Sequence, residues 1–143
     1  MSKKGAMFEP LEGSCLCGAV RYRISAPPID SGYCHCRMCQ KSSGGPVQAS
    51  AEFPVAGFAL IRGELKAYRS SANSVRHFCP QCGSHITFRA AVDPTYISVN
   101  TPTLDQPEAL PPRLHIWRES RIGWFETADD LPRYDREGPP VGG

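Results

Sequence analysis

Long apolar runs are missing from this sequence. The longest mostly apolar stretch, residues 55–61, is broken by Gly57 and falls far short of the roughly 20 residues that a membrane-spanning helix needs. An excess of one charge is missing as well. Sixteen Lys and Arg face fourteen Asp and Glu, a formal balance of +2, with no run of five basic residues. That excludes the concentrated basic face of a nucleic-acid-binding module, so neither a nucleic acid nor a membrane is expected as a partner. A sustained helical period is also absent: no window longer than about ten residues keeps one. No apolar segment follows Lys3 and Lys4, so no secretory signal is expected and the reading is a cytoplasmic protein in a reducing compartment. With 41% hydrophobic and 21% charged residues over 143 positions, the chain has the composition and length of one globular domain.

What is present is alternation. Val20, Tyr22 and Ile24 point one way and Arg21, Arg23 and Ser25 the other, the mark of a half-buried strand that Pro27-Pro28 ends. Further short strands are expected over 47–53, 58–62, 65–68, 75–78, 86–88, 96–99 and 114–117, and a turn of helix over 40–43 that Gly44-Gly45-Pro46 stops. The class is mainly β. Trp117, Trp124 and Phe125 are assigned to the core, and His77 and His115 are read as packed or partly exposed by their strand-like positions. The domain is expected over residues 13–134, with a loose N-terminal extension over 1–12 and a disordered tail over 135–143.

Seven cysteines are the informative count, because an odd number cannot all pair as disulfides. Cys79-Pro80-Gln81-Cys82-Gly83 has the form of a metal knuckle: two thiolates on a tight turn, with a glycine to permit it. Cys15-Leu16-Cys17-Gly18 is a tighter version. Together they supply four sulfurs, which suit a closed tetrahedral zinc site that would pin two distant chain segments together. Iron suits the same sulfur geometry, and a lone CxxC can be a redox dithiol. The redox reading is the weaker, because Cys82 runs into Gly83 and a strand and not into a helix.

Cys34-His35-Cys36-Arg37-Met38-Cys39 offers three sulfurs in six residues. Three protein ligands leave a tetrahedral ion one open position, the arrangement of a catalytic site. The competing readings are a closed site completed by His35, His77 or His85, and a site loaded only when zinc is plentiful. With a divalent ion the three-thiolate site would carry one negative charge, which Arg37 and Lys41 lie close enough in sequence to balance. His35 is the candidate proton shuttle, its alternative being a buried supporting histidine.

Three motifs follow in order: Gly13-x-Cys15-x-Cys17-Gly18-x-Val20, Cys34-His35-Cys36-x-x-Cys39-Gln40-Lys41, and Phe78-Cys79-x-x-Cys82-Gly83. With Leu104-Asp105, His115-Ile116, Trp124 and Leu131-Pro132-x-Tyr134, they resemble the glutathione-dependent formaldehyde-activating enzyme family, which includes centromere protein V-like proteins. The resemblance implies an Mss4-like zinc-stabilised fold of twisted β-sheets. It also implies two zinc ions per chain, a structural one on Cys15, Cys17, Cys79 and Cys82 and a catalytic one on Cys34, Cys36 and Cys39. The implied partners are glutathione as cosubstrate and formaldehyde, a small-molecule thiol and aldehyde. The implied reaction is that of a carbon–sulfur lyase, forming or cleaving a hemithioacetal such as S-(hydroxymethyl)glutathione. Arg37 and Lys41 would then meet the glutathione carboxylates. The rival readings are a zinc-stabilised binding or scaffold module without catalysis and a redox-sensitive zinc switch at Cys34, Cys36 and Cys39.

Overall fold

The computed structural model describes residues 8–91 and 93–138. Its strands are β1 (Leu11–Ser14), β2 (Arg21–Ile24), β3 (Asp30–Cys34), β4 (Gln48–Pro54), β5 (Phe58–Arg62), β6 (Lys66–Ser71), β7 (Ser74–Phe78), β8 (His85–Ala90), β9 (Tyr96–Asn100) and β10 (His115–Ile116). One α-helix, α1, spans Arg37–Ser43. Strands β1-β2-β5 form an antiparallel three-stranded sheet. A seven-stranded sheet runs β10-β3-β4-β9-β8-β7-β6, antiparallel except where β10 lies parallel to β3. No helix among the described residues is long and apolar enough to cross a membrane.

The alternation read in the sequence around β2 is the seam between the sheets. Val20, Tyr22 and Ile24 are fully buried in one cluster with Ala51 and Phe53 of β4, Ile86 of β8, Ile97 and Val99 of β9, and Leu104. Burying apolar side chains of this size stabilises by about 1.5–3 kcal/mol each before chain entropy is subtracted. On the opposite face of β2, Arg21 forms ion pairs with Glu12 at 2.9 Å and Asp105 at 2.5 Å. That triad ties β1, β2 and the turn after β9 together. Tyr22 reaches through the core to place its hydroxyl 2.6 Å from Thr103 Oγ1, so the buried phenol is not left unpaired.

All the expected strands are present, with ends shifted by no more than three residues. The differences have local causes. β1 starts at Leu11, inside the segment expected as a loose extension, and pairs with β2 from Leu11↔Ile24 to Ser14↔Arg21. Phe8 and Leu11 pack against the core. β3, Asp-Ser-Gly-Tyr-Cys, carries no apolar alternation and is held by its backbone pairing with β4. The helix starts at Arg37, three residues earlier than expected, because the Cys36 sulfur caps it by accepting the Cys39 N–H at 3.3 Å. Trp124 is not in the core but 78% exposed, and Trp117 and Phe125 are half-buried. The core is filled by the two sheets, so the late loop lies over their edge. Of the expected tail, the Asp135 and Arg136 carbonyls accept the Glu119 and Trp117 amides at 3.2 and 2.9 Å. Residues 139–143 lie outside the described residues.

Gly13 is where chain approach is closest. A Cβ built there would meet the Tyr22 hydroxyl and, at 2.5 Å, the Thr103 backbone oxygen. Backbone cannot yield as a flexible side-chain end can. Gly13→Ala is therefore expected to destabilise the fold by about 1–3 kcal/mol, read as a lower urea midpoint at unchanged slope.

Candidate metal centres

The first cluster is built by two turns. Cys15 and Cys17 follow β1, and Cys79 and Cys82 sit in the turn from β7 to β8. Each pair ends in a glycine with left-handed backbone, Gly18 at φ 82° and Gly83 at φ 81°, a conformation that side chains rarely tolerate. The two turns thus share one design, brought face to face across 62 positions of sequence. The four sulfurs all lie within 4.8 Å of one another. Cys15 Sγ is 3.6 Å from Cys17 Sγ, which is 3.8 Å from Cys79 Sγ. A zinc–sulfur bond of about 2.3 Å requires tetrahedral edges of about 3.8 Å, so the donor set fits the ion. Backbone amides supply the outer contacts: Val20 N–H donates to Cys15 Sγ at 3.3 Å, and Gln81 and Cys82 N–H to Cys79 Sγ at 3.4 Å each. The Ser84 hydroxyl, 3.1 Å from Cys82 Sγ, and nearby backbone amides hold that thiol down to about 5, which favours the thiolate that a metal needs.

The second cluster is built by a strand end and a helix start. Cys34 closes β3, Cys36 caps α1 and Cys39 lies in its first turn. Their sulfurs also lie within 4.8 Å of one another, and no His, Asp or Glu among the described residues joins them. His35, His77 and His85, the candidate fourth ligands, stand apart from the set. Hydrogen bonds from the Cys34 and Cys39 thiols pull the Cys36 thiol down to about 2, while those with Cys36 and Cys39 push Cys34 upward. Without a cation the three sulfurs therefore share negative charge unevenly; a divalent ion is what allows all three to ionise. Arg76 of β7 adds a donor from outside, its Nη2 lying 3.9 Å from Cys39 Sγ.

Behind this cluster runs a buried relay. His35 and His115 are 1% and 0% exposed. His35 Nε2 lies 2.8 Å from His115 Nδ1, and His115 Nε2 lies 3.1 Å from Asp129 Oδ1. A carboxylate only accepts, so His115 Nε2 carries the proton. With both rings neutral, its Nδ1 is the acceptor and His35 Nε2 the donor. Asp129 is itself oriented by the Leu131 N–H at 3.0 Å and the Arg133 guanidinium at 3.2 Å. Burial lowers the His35 pKa to about 4, which keeps the ring neutral. Gln40 Nε2 donates to the His35 carbonyl at 2.7 Å and His35 N–H to Ile116 O at 3.0 Å. The residue between two cysteines is thereby fixed to β10 by ring and backbone alike.

Comparison with known proteins gives the family. The family model for the glutathione-dependent formaldehyde-activating enzyme matches residues 10–120, a span that holds all seven cysteines. The chain belongs to the glutathione-dependent formaldehyde-activating enzyme family. It is 30% identical over 125 residues, 81% of this chain and 80% of the relative, to a protein of Halomonas elongata (strain ATCC 33173) whose name assigns it provisionally to glutathione-dependent formaldehyde activation. A crystal structure of a Rhodobacter sphaeroides protein shares the fold, with a TM-score of 0.57 and 23% identity over 66% of this chain and 87% of that one.

In this family member the seven cysteines fall into the four-plus-three sets read from their spacing. Arg37 and Lys41 are both exposed on α1. The Arg37 guanidinium donates to Gln40 Oε1, and Lys41 has no ion-pair partner among the described residues. The sequence reading missed Arg76, Gln40 and Asp129. Arg76 sits among strand residues with nothing in its neighbours to mark it, and Asp129 lies in a polar turn far from the cysteines. Gln40 was visible, as the residue after the third cysteine.

His115→Ala would leave His35 Nε2 without its acceptor and open a cavity between β3 and the late loop. A loss of about 2–4 kcal/mol is expected by denaturant titration. Asp129→Asn keeps an acceptor oxygen and is expected to lose less.

Proposed function

We propose that Cys34, Cys36 and Cys39 hold a zinc ion with one open position, and that the protein joins a thiol to a small aldehyde there. Glutathione and formaldehyde are the proposed pair, in line with the family and with the name of the Halomonas relative. The carrying observation is the count of three sulfurs in the second cluster against four in the first. Zinc bound there supplies Lewis acidity and stabilises a thiolate near neutral pH. In the forward direction the thiol sulfur bonds to the aldehyde carbon, the carbonyl π pair moves to oxygen, and the sulfur's proton ends on the new hydroxyl by way of solvent. The reverse breaks the same carbon–sulfur bond, which is carbon–sulfur lyase chemistry. A reducing compartment such as the cytoplasm keeps the seven free thiols available to metal.

The protein's own residues divide the work. Cys15, Cys17, Cys79 and Cys82 close a structural site that pins the β1–β2 turn to the β7–β8 turn. Cys34, Cys36 and Cys39 hold the working ion. His35 positions that cluster and does not shuttle a proton to substrate: its Nε2–H is engaged by His115 and its ring is 1% exposed. Arg37 and Lys41 stand on the exposed side of α1, where either can meet a substrate carboxylate at the rim.

Two variants separate the clusters. Purified protein is expected to hold about two zinc ions per chain. Cys36→Ser is expected to lose one of them, together with any acceleration of hemithioacetal formation, while keeping its β circular dichroism. Cys79→Ser is expected to lose the fold, because metal affinity and folding are coupled at a closed site. A Cys36→Ser protein that unfolds as Cys79→Ser does would make the second cluster structural and end the catalytic reading. A Cys79→Ser protein with wild-type melting and full metal would overturn the first assignment.

A further inference from the structure

One face of the large sheet carries an open recess of about 150 Å³ beside the three-cysteine cluster, lined by Ser42, Tyr68, Arg76, Phe78, Gly83 and His85. Tyr68, Arg76 and Phe88 stand at paired positions across β6, β7 and β8, and Phe78 pairs with His85. The recess is therefore a property of strand register, with Ser42 of α1 at its edge. Arg76 is its chemical centre. The side chain is only 5% exposed, and its Cζ lies 4.9 Å from the centroid of the Phe88 ring.

A guanidinium stays charged at any accessible pH, so burying one calls for a compensating anion. Arg76 has none of the usual kind. No carboxylate pairs with it among the described residues, and its Nε and Nη1 have no hydrogen-bond partner there. Its one polar contact is the long one from Nη2 to Cys39 Sγ. His85 adds no charge: burial and the Arg76 guanidinium lower its pKa to about 4, and its Nε2 donates to the Thr87 carbonyl at 3.2 Å. The recess wall thus carries one fixed positive charge and no acidic residue. In a low-dielectric wall such a charge attracts an anion without direct contact to the shielded nitrogens.

We propose that this recess holds the carboxylate of an acidic thiol whose sulfur reaches the Cys34–Cys36–Cys39 cluster, with Arg76 as the residue that selects for it. The inference rests on the thiol–aldehyde reading above and adds a specificity-determining residue: Arg76 is what makes a thiol that carries a carboxylate preferred over a neutral one. The contact at 3.9 Å places the selecting charge next to the sulfur set, so one small molecule spans both.

The test is binding of N-acetylcysteine and of its methyl ester to the zinc-loaded full-length protein, by calorimetry. The two probes share the thiol and differ in the carboxylate. The wild type is expected to bind the acid at least about tenfold more tightly, a difference that one unit charge acting through a low-dielectric wall can supply. Arg76→Gln is expected to bring the two affinities together by weakening the acid alone, and Arg76→Lys to retain part of the preference. Where Arg76→Gln fails to fold, Ser42→Asp puts a negative charge at the rim from an exposed helix position and is expected to weaken the acid selectively. Equal binding of acid and ester to the wild type leaves the thiol–aldehyde reading standing and overturns this one. An acid preference that survives Arg76→Gln does the same, and so does a parallel loss of both probes, which would make Arg76 a counter-charge for the cluster only. Binding of neither probe overturns both.

Discussion

Sulfur crowding is the constraint on which the rest of this structure depends. Four cysteine sulfurs from two turns, and three more from a strand end and a helix cap, lie within bonding reach of a common centre in each case. Thiolates so placed repel one another unless a cation sits between them, and thiols so placed gain little from proximity. A divalent ion turns each crowd from a liability into a fastening. An ion in the first cluster would join segments 62 positions apart, so that loop-closure entropy would be offset by metal binding and not by apolar burial alone. This matters in a protein whose small sheet has three strands.

The two clusters differ in what supports them. The first rests on backbone: left-handed glycines, amide-to-sulfur hydrogen bonds and a serine hydroxyl. The second is supported by side chains as well. The buried His35 and His115 and the half-buried Asp129 form a line of hydrogen bonds that ends on the carboxylate, and Gln40 secures the same segment from the helix. Arg76 approaches from the sheet. A rigid backbone site suits a ligand set that closes. A site braced by side chains on one side and bordered by a recess on another suits an ion that must admit a substrate.

Much of this was legible in the sequence because cysteine spacing and β alternation are local signals. The knuckle at Cys79–Cys82, the three-sulfur run and the core positions Val20, Tyr22 and Ile24 all follow from near neighbours. The features that were not legible depend on distant partners. β1 is a strand because Arg21 and Tyr22 give it something to pair with and pack on. Trp124 looked like core because it is large and aromatic, yet the two sheets already fill the space. Arg76 reads as an ordinary polar residue of an edge-side strand until β6, β8 and α1 surround it. Asp129 gains its role only when the late loop folds back onto His115.

The central claim is that one metal site is closed and the other open to a thiol. Zinc-edge X-ray absorption on the zinc-loaded protein, with and without glutathione, tests it directly. Seven cysteine sulfurs over two ions are expected to become eight on addition of the thiol. A sulfur count that does not change when glutathione is bound would contradict the account.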